Sequence, residues 1–383
     1  MGIYERLGVR TLINAAGDLT TLGGTLMEPE VVEAMEEAAR GFVRLQSLQH
    51  RAGGVIARHT HAEAGYVTSG AGAGIALGIG ACLAGGDPDR LLLLPDTTGF
   101  PRRRVVLQAC HRTQYWRLFG VSGATITLVE GHSELVREVA LRDVAAVGFV
   151  HEQADSGVPF EQVVETAHTR GVPVLVDAAA ALPPPEYLWH YSDLGADLVA
   201  FSGGKALHGP QATGILAGRA DLIQSVAHLH QGQYYRPRPF DGQAIGRPMK
   251  VGKEEIAGLV AALELYARRD HAAERRRWEA DMRLVADRLD GISGVRAEYT
   301  FPLPNRRPLP CVLLHLDEHV LGRSAAEVQR VLEDEDPSVA LGDGQVANGM
   351  LLVYPSNLRP GEATIVADRL RRVLTQTPAG VRA

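Results

Sequence analysis

Cysteine, aromatic residues and long apolar runs are all scarce in this sequence. The three cysteines, Cys82, Cys110 and Cys311, are scattered without a CxxC pair, which excludes a dense disulfide framework and fits a reducing compartment. No run of about 18 uninterrupted apolar residues occurs. The apolar segment 71–86 is too short and too rich in glycine to span a bilayer. The first residues, MGIYERLGVR, hold no apolar signal core, so a cytoplasmic location is expected. Positive charge is in deficit, with 39 Lys and Arg against 45 Asp and Glu and a net charge of −6. That balance argues against a generic nucleic-acid surface and against a basic membrane anchor. The arginine groups 102–104 and 275–277 read as solvated faces.

What is present is an ordinary globular composition, 45% hydrophobic and 22% charged over 383 residues, enough for a large core and two or three domains. From about residue 65 to 218, short Val/Leu/Ile-rich runs alternate with helical patterns. The runs are GYVTS, VVLQAC (105–110), TITLVE (125–130), AAVGFV (145–150), VPVLVDA (172–178), DLVAFSG (197–203) and TGILAG (213–218). Runs of this kind read as strands buried on both faces. FEQVVETAHTRG (160–171) is one of the intervening helical patterns and ends on a glycine. Alternation of this sort predicts an α/β fold, a mostly parallel sheet with helices on both faces. Residues 219–250 are polar, aromatic and punctuated by Pro and Gly, and read as a long functional loop. One helical pattern then runs from Glu254 to about Arg288. CVLLHLD (311–317), SAAEVQRVLEDE, MLLVYP (350–355) and PGEATIVADRLRRVLTQ follow as a smaller α+β domain.

Three features point to chemistry. VTSGAGAG (67–74) places small residues between a strand and a helix, where backbone N–H groups make an anion site; small residues also serve tight helix–sheet packing. The stretch matches neither GxGxxG nor GxxxxGK[ST], so dinucleotide and nucleoside-triphosphate binding lose ground. Asp177 closes an apolar strand at the sheet edge where ligands bind, although an aspartate there also suits a helix N-cap. Lys205, in FSGGKALHGP (201–210), follows the next strand. Taken alone it is equally a surface lysine on a turn. Together, an amine, a carboxylate and a phosphate cradle are the three functions that pyridoxal phosphate needs: a Schiff base, a partner for the ring nitrogen and an anion site.

With those residues in view, the sequence resembles the pyridoxal-phosphate family that includes bacterial selenocysteine synthase (L-seryl-tRNA selenium transferase) and D-glucosaminate-6-phosphate ammonia-lyase. INAAGDLTTLGG (13–24), VTSGAGAG, VDAAAALPP (176–184), FSGGKALHGPQATGI (201–215), GRPMKVGKEEI (246–256) and YPSNLRPGE (354–362) carry the likeness over nearly the whole chain. The resemblance implies a fold-type I, aspartate-aminotransferase-like architecture with a seven-stranded sheet. The expected division is an N-terminal arm and helix packing on the small domain (1–50), a large cofactor domain (51–250) and a small α+β domain (251–383). It also implies Lys205 as the Schiff-base lysine, Asp177 as the ring-nitrogen partner, and Ser69, Gly70 and Ala71 at the phosphate, with Ser202 adding a hydroxyl contact.

The remaining candidates carry less. His111, at a strand end, is expected either to stack on the cofactor ring or to be a core histidine, and Gln153 to touch the phenolic oxygen. His208 and Gln211 reach substrate or brace the turn. Arg247, Lys253 and Arg359 are candidates for a substrate carboxylate or phosphate. His59, His61 and Glu63 point in different directions, and no metal site is expected. The shared pattern begins near residue 4 and the chain is acidic, so neither nucleic acid nor membrane is an expected partner. A homodimer or larger homo-oligomer with shared active sites is implied. The expected activity is a lyase: α,β-elimination from a small amino acid or amino-sugar acid, giving a 2-keto acid and ammonia. Racemisation, aldol cleavage and transamination are the alternatives within the same chemistry, and a non-catalytic cofactor-binding sensor is the alternative outside it.

Overall fold

The computed structural model describes residues 2–231, 244–303 and 307–376. The chain divides into two compact units, one spanning Met27–Arg269 and the other joining Met1–Leu26 to Asp270–Ala383.

In the larger unit every expected strand forms. The seven-stranded sheet runs in the order Ala64–Thr68, Gly214–Gly218, Leu198–Ser202, Val174–Asp177, Val144–Val150, Arg104–Gln108, Thr125–Val129. Gly214–Gly218 alone is antiparallel to its neighbours; the other pairings are parallel. Alternate side chains of each strand go to opposite faces, and both faces are covered. Val106, Val174, Val176, Val199 and Phe201 enter one core with helix Phe160–His168. Val105, Leu107, Leu175, Leu198 and Ala200 enter another with helix Ala71–Ala84. This explains runs without polar alternation: all seven residues of Val144–Val150 are buried. The Gly/Ala richness of helix Ala71–Ala84 has a similar cause, since a Cβ on Gly78 would lie 2.6 Å from a Leu175 methyl.

Helix Leu45–Thr60 covers the edge strand. Gln49 donates from Nε2 to the Val67 carbonyl (2.9 Å) and accepts from the Val67 N–H at Oε1 (3.0 Å). These two bonds satisfy backbone groups that the sheet edge leaves unpaired.

Two expectations need correction. The long helical pattern is two helices, Lys253–Arg268 and His271–Leu289. Arg269 is extended, and Asp270 caps the second helix by accepting the Ala273 N–H at 2.8 Å. The first of them packs on helix Pro29–Ala39, where a Cβ on Gly258 would meet the Met35 side chain at 2.7 Å. Helices Pro29–Ala39 and Lys253–Arg268 lie in the larger unit, and His271–Leu289 in the smaller. The stretch read as a loop from residue 219 begins instead as helix Ala220–Gln231, whose Leu222, Ile223, Val226 and Leu229 are buried. Its residues 232–243 lie outside the described residues.

The smaller unit holds a five-stranded sheet in the order Ile13–Ala15, Val339–Gln345, Met350–Val353, Cys311–Leu316, Val295–Thr300. Its core takes side chains from helices His271–Leu289, Ala325–Asp334 and Glu362–Thr375. Among the described residues no helix is long and apolar enough to cross a membrane.

Candidate active site

The C-terminal ends of the parallel strands form one edge of the large sheet, and most of the candidate side chains lie along it. Register fixes their order: Val150 pairs with Asp177, and Asp177 with Ala200. Two residues beyond Ala200 the strand ends at Ser202, and Gly203, Gly204 and Lys205 turn away from it.

Asp177 is 8% exposed, and its Oδ1 accepts the Ala179 N–H at 3.0 Å. Burial pushes its pKa up to about 6; the Ala179 bond and the Lys205 ammonium oppose the rise, and Glu152 adds to it. A carboxylate held this high gains from a further cationic neighbour. A ring N–H⁺ from a cofactor is such a neighbour.

Lys205 sits on a turn closed by two backbone bonds, His208 N–H to the Lys205 carbonyl and Gly209 N–H to the Gly203 carbonyl, both 2.8 Å. His208 takes the left-handed conformation, φ 57°. The two glycines before the lysine do not clear space around the amine. A Cβ on Gly203 would lie 2.0 Å from Thr213 Oγ1, and one on Gly204 2.6 Å from Gln211 Cα. They are small because the turn folds back against its own return strand, which fixes where the lysine stem leaves the sheet.

The phosphate cradle is built from the edge strand. After Thr68 the chain passes Ser69 and Gly70 (φ 105°) into helix Ala71–Ala84. Gly74 N–H makes the first helical bond, to the Gly70 carbonyl at 3.1 Å, so the N–H groups ahead of it have no acceptor within the helix. Thr68 Oγ1 holds the same carbonyl at 2.9 Å. A Cβ on Gly214 would meet the Gly70 carbonyl carbon at 2.4 Å and the Ala71 nitrogen at 2.6 Å, so only glycine lets the neighbouring strand back the cradle. A helix start built of small residues, a buried carboxylate and a lysine on one sheet edge fit pyridoxal phosphate.

Not every candidate stands open to that space. Ser69 donates its hydroxyl to the Met249 carbonyl at 2.8 Å. His111 is fully buried, its ring edge-on to Phe149 at 4.6 Å. Its Nδ1 accepts the Val150 N–H at 3.1 Å. Burial lowers its pKa to about 4, with the backbone of Ser156 and Gln153 opposing. Gln153 lies in a 3₁₀ turn just past strand Val144–Val150. Ser202, partly buried, ends the strand before Lys205, and Gln211 is exposed.

Arg247 is exposed. Lys253 donates to the Ala38 carbonyl at 2.8 Å and pairs with Glu254. Arg359, in the smaller unit, is tied to Glu362 at 2.7 Å. His61 pairs with Asp193 at 2.9 Å, and Glu63 accepts the Ala220 N–H at 3.0 Å. Among the described residues no cluster suited to a metal ion forms.

Residues that sequence reading missed include Gln108, whose buried amide bonds both backbone groups of Val158. His230 is another: it hydrogen-bonds both Tyr66 and the Met249 carbonyl. The helical spacing of Leu222, Val226 and Leu229 is the signal that places His230 on a helix.

Comparison with known proteins agrees with this fold. Residues 130–336 match the aminotransferase class-V family model. The chain is 31% identical to D-glucosaminate-6-phosphate ammonia lyase of Salmonella typhimurium, over 97% of each chain. It is 33% identical to 5'-C-glycyluridine monooxygenase-decarboxylase of a Streptomyces species, over 97% of this chain and 92% of that one. A solved structure of D-glucosaminate-6-phosphate ammonia-lyase superposes with a TM-score of 0.83 at 29% identity, covering 98% of this chain and 99% of the other.

Proposed function

The chain belongs to the aminotransferase class-V family, and from that premise we propose that it is a pyridoxal-phosphate-dependent lyase removing ammonia from an amino-sugar acid by α,β-elimination. The observation that carries this reading is the whole-chain match, TM-score 0.83, to an ammonia-lyase structure. Pyridoxal phosphate, when bound, supplies an aldehyde that condenses with amines and a protonated ring that draws electrons from the bond broken at the substrate's Cα. Lys205 Nζ is the amine assigned to that aldehyde. With its amine free, Nζ would remove the substrate's Cα proton and deliver a proton to the departing β-hydroxyl. Asp177 would pair with the ring nitrogen, and its ionised form would keep that nitrogen protonated. The backbone N–H groups at Ala71 and the start of its helix would hold the phosphate. Water then releases ammonia and a 2-keto acid.

The same reading includes a homodimer or larger assembly, supported in the larger unit by Phe42, which is fully exposed beside an exposed Val43. Light scattering of the purified protein measures it, and a monomer at working concentration contradicts it.

A second reading has its own support, because identity to the monooxygenase-decarboxylase is as high as to the lyase. In that case the bond broken at Cα is the one to the carboxylate, and dioxygen is consumed. One experiment separates the two. The cofactor-loaded protein is offered phosphorylated and unphosphorylated amino-sugar acids and small β-hydroxy amino acids in a closed cell. Ammonia, 2-keto acid, oxygen, carbon dioxide and enantiomer ratio are followed. Equal ammonia and keto acid at constant oxygen supports elimination; oxygen uptake with carbon dioxide release supports the second reading. A changed enantiomer ratio alone, or silence across the panel, sinks both.

A further inference from the structure

The Met249 carbonyl accepts two hydrogen bonds, one from Ser69 Oγ at 2.8 Å and one from His230 Nε2 at 2.9 Å. A carbonyl only accepts, so Nε2 carries the imidazole proton and Nδ1 is left as an acceptor. The Tyr66 hydroxyl, 2.9 Å from Nδ1, is therefore the donor in that bond. His230 is 4% exposed. Burial holds its pKa below the ordinary value, Met249 opposing and Arg247 adding to the fall, and a neutral ring keeps these donor directions. Tyr66 lies on the strand that runs into the cradle and Ser69 just past its end, three residues on, so the bonds close a ring: Tyr66, His230, Met249, Ser69. The backbone is drawn tight at the same place. A Cβ on Gly246 would stand 2.7 Å from His230 Cα and 2.6 Å from the Leu229 carbonyl oxygen.

This ring has a consequence for the anion. The single Ser69 hydroxyl proton is committed to Met249, so Ser69 Oγ offers only lone pairs to a phosphate. If Ser69 turns its proton to the phosphate, the Met249 carbonyl loses one donor and keeps the other. We infer that His230 is a positioning residue of the phosphate cradle, holding the Met249 carbonyl in place so that Ser69 is free to exchange its bond for one to the cofactor's phosphate. This role rests on the cofactor reading above, goes beyond it, and is separable from it by experiment.

The test uses the full-length chain freed of cofactor and titrated with pyridoxal phosphate. His230→Leu keeps bulk and removes both ring nitrogens, and the dissociation constant is expected to rise roughly tenfold. In His230→Gln the amide nitrogen reaches the position of Nε2, and most of the affinity returns. Tyr66→Phe removes only the distal hydroxyl; a rise of about threefold is expected, and this variant carries the test should His230→Leu not fold. The phosphorus NMR resonance of the bound cofactor shifts in His230→Leu and recovers in His230→Gln, which loss of packing alone does not produce. Wild-type affinity in His230→Leu, or a His230→Gln protein no better than His230→Leu, overturns the inference while leaving the cofactor reading intact. A wild-type chain that takes up no pyridoxal phosphate overturns both.

Discussion

Gly214 and Gly70 meet backbone to backbone: a Cβ added to Gly214 would lie 2.4 Å from the Gly70 carbonyl carbon. The clash is with main chain that also anchors the first turn of helix Ala71–Ala84, so no rotamer change relieves it. Gly214→Ala is expected to cost about 1 to 3 kcal/mol in stability and to displace the cradle. Thermal denaturation and cofactor titration of the same preparation check both effects. Unchanged affinity would show that the anion site lies elsewhere.

Gln108 and Val158 form a second fixed pair. The Gln108 side chain, 1% exposed, accepts the Val158 N–H at 2.5 Å and donates to the Val158 carbonyl at 3.1 Å. Gln108→Leu leaves both backbone groups buried and unpaired, at an expected cost of about 2 to 4 kcal/mol. The turn carrying Gln153 lies just upstream and loosens with it. Urea denaturation measures the stability, and limited proteolysis between 151 and 158 measures the loosening.

Replacing Lys205 separates covalent capture from simple binding. Lys205→Ala removes the amine, and Lys205→Arg keeps the charge but supplies a guanidinium that does not condense with the aldehyde. Both are expected to lower turnover at least ~10²- to 10⁴-fold, the range for loss of a positioned acid–base group. Borohydride reduction followed by peptide mapping identifies the tethered residue in the wild-type protein. Label on any peptide without position 205 refutes the assignment.

How far the sequence revealed all this depends on what each element packs against. The buried strands of the large sheet are legible because both faces need apolar side chains, and so they read as uninterrupted runs. Asp177 and Lys205 are legible for the same reason, as polar residues just where such runs stop. The small sheet hides three of its strands. Ile13–Ala15 is three residues long and pairs with Val339–Gln345 from the far end of the chain. The second of these carries two glycines, Gly342 and Gly344, which weaken a strand pattern. Val295–Thr300, an edge strand, places Arg296 and Glu298 on its more exposed face, so charge masks the run. The ring of bonds through His230 was out of reach for another reason: it depends on a main-chain carbonyl, which no side-chain pattern records.

Asp177 and His111 make opposite demands on stability over one pH range. Asp177 is raised from 3.8 to about 6, so the folded state holds its proton more tightly than the unfolded chain does. Its contribution is full below pH 3.8 and falls away as pH rises through 6. The gap corresponds to about 3 kcal/mol. His111 is lowered from 6.5 to about 4, so the unfolded chain binds its proton first. Its contribution is full above pH 6.5 and is lost as pH falls through 4, again by about 3 kcal/mol. Between about pH 4 and 6 the two slopes cancel in the cofactor-free protein, and its stability changes little there on their account. Each single variant uncovers the other's slope. Asp177→Asn becomes steadily less stable on acidification across that window, whereas His111→Asn becomes less stable as pH rises through it. Urea midpoints at four or five pH values resolve the two trends, and parallel curves for both variants would refute the opposed titrations. Asp177→Asn should also be about 2 kcal/mol more stable than wild type near pH 7 without cofactor, since it removes a buried charge, yet inactive with it.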